Sequence, residues 1–184
     1  MTTPPAKSWT ISKLEAARRQ LRVAGALFFE NGDAVALHTL VAAARQVLID
    51  LLERQGKALR LDEHLRARYT EQGQKMWYSA KAQAENFFKH ADRDPDAQLE
   101  FNPTQTHFLL LDCAEAYNIL TGRQLRELWA FTTWFFLEYP DALEDGPFKD
   151  TMARASALLA GAHRDRSLFM AAFRSQASLP DFLD

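Results

Sequence analysis

Apolar residues recur three and four apart through most of this chain, and no stretch alternates apolar with polar at period two. Leu14, Ala17, Leu21, Ala24 and Phe28 predict a first helix over about Ile11–Glu30. It opens on a capping box, Ser12-Lys13-Leu14-Glu15, in which Ser12 accepts from the third backbone N–H and Glu15 reaches back. Asn31-Gly32-Asp33 closes it, with Gly32 as a left-handed stop and Asp33 as the cap of the next helix. Leu37, Leu40, Val41, Ala44, Val47, Leu48 and Leu51 line a second helix over about Ala34–Gln55, ended by Gly56, with His38 at the rim of the stripe. Two long amphipathic helices joined by so short a turn form an antiparallel hairpin.

The charged stretch Lys57–Gly73 reads as irregular, with a short helix over Asp62–Tyr69. A third helix follows over about Gln74–Ala91, and Pro95 biases Asp94 away from helical geometry. At about 100° per residue, Met76, Ala80, Ala84, Phe87 and Ala91 share its core face, and Ser79, Gln83, Asn86 and His90 form a polar stripe beside them. A fourth helix, about Pro103–Thr121, starts on Asn102 as cap and is apolar on nearly every side, which places it centrally. Gln124–Glu138 forms a fifth helix, carrying Trp129, Phe131, Trp134, Phe135 and Phe136. That aromatic load exceeds one buried stripe; it is either core or a face reserved for a second subunit, and the second reading predicts a homodimer. Phe148–Leu159 and Arg164–Ser175 are two shorter helices around Gly161, and the tail Leu179–Leu183 carries apolar anchors for docking. The expected fold is all-α: one helical-bundle domain over 11–184, of six or seven helices built on the N-terminal hairpin, behind a flexible arm at 1–10.

Composition narrows the function more than the fold. With 47% hydrophobic and 25% charged residues and a net charge of −2, the chain carries no overall basic field to attract nucleic acid. A single cysteine, Cys113, precludes an intrachain disulfide and fits a reducing cytoplasm; it lies in an apolar helix with no basic neighbour and reads as core. The first ten residues lack the apolar run of a signal peptide, and no apolar run is long enough to predict a membrane span. No phosphate-binding glycine loop, dinucleotide fingerprint or nucleophile elbow occurs, so no cofactor is expected.

Two constellations of polar residues remain. His38, His90 and His107 with Asp92 and Asp94 are the residues from which a metal site would be drawn, although none of the usual tight ligand spacings occurs among them. Asn86 and His90, four apart on one helix flank, are the candidates for proton transfer or for holding a phosphate oxygen. The competing reading gives them a purely structural role, hydrogen-bonding the adjacent loop where the helix ends.

The hairpin Leu14–Gln55, with its Gly32-Asp33 turn and alanine-rich second helix, resembles the opening of HEPN domains. HEPN proteins are small helical bundles that usually dimerise, and many are metal-independent RNases of toxin–antitoxin and phage-defence systems. Their motif is an arginine, a polar residue, three variable positions and a histidine. Glu85-Asn86-Phe87-Phe88-Lys89-His90 matches that frame at Asn86 and His90, with Glu85 in place of the arginine. The string Asn86–Asp92 also resembles a signature of bacterial proteins of this length with no assigned activity. The resemblance implies a homodimer, in the cytoplasm that the single cysteine suits. Because the arginine would stabilise charge on a phosphate, its replacement by Glu85 implies a non-catalytic binding or dimerisation module, accessory or antitoxin-like, with a protein partner. The alternatives are an RNase with a rearranged basic residue, acting on RNA, and a small-molecule or metal-binding bundle using His38, His90 and His107.

Overall fold

The computed structural model describes residues 8–60, 70–90, 92, 94–143 and 145–175, without the side chains of 73, 74, 76–78, 80 and 81. The short helix expected at Asp62–Tyr69, most of the N-terminal arm and the docking tail at Leu179–Leu183 lie outside the described residues, as do the side chains of Met76, Ala80 and Ala91. Among the described residues the chain is all-helical. Its elements are α1 (Lys13–Phe29), α2 (Ala34–Arg54), α3 (Glu71–Lys89), α4 (Gln105–Thr121), α5 (Arg126–Glu138), α6 (Pro147–Leu159) and α7 (Arg166–Ser175), with 3₁₀ turns at Pro140–Ala142 and Ala162–Arg164.

The helix ends follow from local chemistry. Ser12 Oγ accepts from the Glu15 N–H at 3.1 Å, so half of the capping box forms. The other half gives way to charge: the Glu15 carboxylate takes Arg18 and Arg19 at 2.6 and 2.7 Å, and these hydrogen bonds hold it well below the usual carboxylate range, at about 2. Asp33 caps α2 through the Ala36 N–H at 2.8 Å. The left-handed residue after α1 is Asn31, at φ 52°, rather than Gly32. The Gly32 N–H bonds back to the Leu27 carbonyl at 2.8 Å. A Cβ at Gly32 would come within 2.7 Å of Leu27 Cδ2, so any other residue there requires the Leu27 side chain to shift.

Four helices enclose the core, with α4 between α2 and α5, and α1 against both α2 and α5. Phe28 sits at the centre, edge-on to Phe29, His107, Phe131 and Trp134 at centroid distances of 4.8–5.4 Å. Leu21, Leu48, Leu110, Cys113 and Leu128 are fully buried around it. Each large apolar side chain so buried contributes about 1.5–3 kcal/mol. An ion pair reaches into this interior, Arg45 to Asp112 at 2.7 Å, tying α2 to α4. α2 is long and apolar enough by composition to cross a membrane, but in the fold its buried stripe packs against α1 and α4.

The aromatic surplus of α5 is absorbed inside the chain. Phe131, Trp134 and Phe135 are core, Trp129 meets Phe173 of α7 at 5.0 Å, and Phe136 meets Phe148 of α6 at 5.9 Å. These rings therefore give no support to a subunit face on α5. Helix α3 packs outside this core, against α2.

Candidate functional site

Helix α3 buries Ala84 and half-buries Phe87 and Phe88, which leaves its polar stripe facing away from the bundle. The chain then turns back through Asp94–Leu99 beside it. Between the two lies an open groove of about 1070 Å³. Ser79, Gln83, Asn86 and His90 line one wall together with Gln72 and Lys75, Asp94 and Gln98 line the other, and Ala82, Phe87, Ala97 and Leu99 supply apolar surface.

Asn86 and His90 thus share one groove. The α-helical ladder continues one residue past α3, because the His90 N–H donates to the Asn86 carbonyl at 3.1 Å. The imidazole of His90 is 60% exposed, with Nδ1 3.9 Å from Asp92 Oδ1. On the next strip of the helix the Glu85 carboxylate forms an ion pair with Lys89. The glutamate that stands at the motif's arginine position therefore also engages the nearest lysine.

His38 and His107 are elsewhere. The pattern puts His38 at a helix rim, but it is 1% exposed. The rings of Phe88 and Phe101 cover it edge-on at 5.7 and 5.2 Å. Its Nδ1 shares a hydrogen bond of 2.9 Å with Thr106 Oγ1, and its buried Nε2 has no partner among the described residues. Burial lowers its pKa. His107 lies inside the aromatic cluster, near Phe28, Phe131, Trp134 and Tyr139, with Nδ1 buried and without a partner among the described residues. Burial and the Arg166 charge push its pKa down to about 4. Among the described residues no three His, Cys, Asp or Glu side chains gather. Of the residues from which a metal site was drawn, only His90 and Asp94 line the groove, so the structure does not assemble the set.

Sequence reasoning missed part of the groove for a simple reason. Gln72 and Lys75 continue the stripe at the same three-and-four spacing, but a helix starting at Gln74 leaves Gln72 outside it, and Lys75 then stands as a lone first-turn residue. The Asp94–Leu99 wall is irregular and has no periodic signal. His163 was also missed: it is buried, its Nε2 is 3.0 Å from Glu138 Oε2, and its carbonyl accepts from Trp134 Nε1 at 3.1 Å. That arrangement pins the Ala162–Arg164 turn to α5, and Arg164 Nε donates to the same carboxylate oxygen.

No family model, no curated protein and no solved structure matches this chain.

Proposed function

We propose that the chain is a HEPN-like, cytoplasmic bacterial module that binds without cutting, and that the groove beside α3 is its binding surface. The Glu85–Lys89 ion pair carries this reading. A phosphoryl-transfer site at His90 needs a cation free to meet charge developing on phosphate. In the Glu85–His90 frame the position of that cation holds a carboxylate, and the lysine one turn on is engaged by it. The rest of the surface is rich in neutral amides, from Gln72, Gln83, Asn86 and Gln98. Such groups donate and accept at once and suit a polar partner surface better than a polyanion.

The competing reading is a metal-independent RNase that uses Asn86 and His90 with a rearranged base, favoured by their shared groove. Incubating the purified protein with single-stranded RNA, without added metal, separates the two. No cleavage by the wild type is expected. Cleavage that His90→Ala abolishes in a folded protein would overturn the binding reading. Glu85→Arg frees Lys89 and restores the motif's arginine, so cleavage gained by that variant alone marks a nuclease disabled at this residue.

A further inference from the structure

We infer that His38 is an acid-operated latch on α3: on gaining a proton it lets that helix leave the bundle, and the groove with it, while the four-helix core stays folded. This latch, which rests on the groove being the binding surface, controls when that surface is available. Helix α3 packs on α2, outside the core, and Phe88 of α3 lies edge-on over the His38 ring. Phe101 covers the imidazole from the segment before α4. The docked state offers the ring one polar partner, Thr106 Oγ1 at 2.9 Å from Nδ1, and Nε2 meets none among the described residues. A neutral imidazole has one N–H to place, and an imidazolium has two. With Nδ1 turned to the threonine, the second N–H of the charged form has no acceptor and its charge no water. Lifting Phe88 away supplies both.

The charges around the ring do not rescue it. Burial holds the docked His38 pKa below its ordinary value, against the pull of the Glu85 carboxylate on α3, which Lys89 already engages. From α4, Thr106 is uncharged and His107 packs into the aromatic cluster. Once α3 is undocked, the His38 pKa returns to about 6.5. Docking is therefore at full strength above about pH 6.5 and weakens as pH falls through that value. His90 works in the other direction: an imidazolium there attracts Asp92, 3.9 Å away, and holds the end of α3 more firmly in acid. The groove wall that carries Ser79, Gln83, Asn86 and His90 moves with α3, so the binding surface exists near neutral pH and is withdrawn in acid.

Two thiols separate release of α3 from unfolding of the core. Ala84→Cys puts one on α3 at a position only 2% exposed, and the native Cys113 of α4 is fully buried. Labelling of the full chain with dithiodipyridine, each rate divided by the rate in urea at the same pH, gives the opening that exposes each thiol. At pH 7.5 the Ala84→Cys thiol should label well before Cys113. From pH 7.5 to 5.5, where ordinary carboxylates stay ionised, its opening should rise by up to about tenfold, the limit for one proton taken up at a pKa of about 6.5. His38→Gln keeps a partner for Thr106 but cannot take the proton, and should abolish the rise. Phe101→Ala admits water to the imidazole and should shrink the rise; it decides the matter if His38→Gln loosens α3 at every pH. An α3 thiol that opens only together with Cys113, an opening that does not rise in acid, or a rise unchanged in both variants overturns the inference. RNA cleavage enters none of these results, so the latch and the non-cutting reading fail separately.

Discussion

Replacing Gly25 by alanine should destabilise the protein, against the usual effect of that change in a helix. Gly25 is an interior residue of α1, buried where α1 meets α5. An added Cβ would stand 2.4 Å from Glu127 Cβ, 3.0 Å from its Cγ and 3.6 Å from its Cα. Carbon atoms in good contact sit about 3.5–4.0 Å apart, so more than an ångström must be found. Glu127 cannot rotate its Cβ away, because that atom is fixed by the backbone; α1 and α5 must separate instead. Their separation loosens the Phe28–Phe131 contact, at 5.0 Å between centroids. Overpacking of this kind costs about 1–3 kcal/mol, and the upper half of that range applies when backbone has to move. The intrinsic preference for alanine over glycine in a helix returns about 1 kcal/mol. The net loss is about 1–2 kcal/mol, or roughly 2–8 °C in Tm for a chain of this size. Urea and thermal unfolding followed by circular dichroism measure it. Glu127→Gly removes the opposing Cβ, so Gly25→Ala placed in that background should no longer be penalised. A Gly25→Ala protein with a raised Tm would refute the close approach of α1 and α5.

Three other outcomes follow from local features. His107 has a folded-state pKa near 4 against about 6.5 unfolded. Below about pH 6.5 the unfolded chain takes up a proton that the native state refuses, so stability falls as pH drops from 6.5 toward 4, by about 3 kcal/mol from this group; urea melts at pH 7.5 and 4.5 should show it, and His107→Leu should shrink the difference, leaving the share of His38, whose pKa burial also lowers. Ala160 ends α6 at φ 47°, where a Cβ is strained, so Ala160→Gly should stabilise the protein by about 1 kcal/mol in the same melts. Ser12→Ala removes the Glu15 N–H acceptor at the start of α1 and should cost about 1 kcal/mol in urea unfolding.

The helices were legible in the sequence because their ends are written locally. Asp33, Gly56 and Gly122 mark boundaries through one or two bonds each, and the stripes on α1 and α2 need only the helical repeat. The environments of the histidines were not legible. What buries His38 is a pair of rings, Phe88 and Phe101, that arrive from fifty or more positions away, and no spacing within α2 reports them. His107 is enclosed in the same way, by Phe28 from one side of the chain and Trp134 from the other. The aromatic run of α5 misled for a related reason: a helix flanked by α1, α4, α6 and α7 has more than one buried face, whereas a single-stripe reading allows it one. On α3 the Ser79–His90 flank could be read from its period, but not the wall opposite it.

The attachment of α3 has a consequence for how the molecule opens. The helices α1, α2, α4 and α5 share one continuous set of interlocked rings and aliphatic side chains. Helix α3 joins them through α2, by Ala84 and by Phe88 lying over His38. Its amides should therefore exchange with solvent through a partial opening well below the free energy of global unfolding, while those of α2 and α4 wait for the whole chain to unfold. Refolding should run the other way, with the four-helix core protected before the amides of α3 in pulse-labelling exchange.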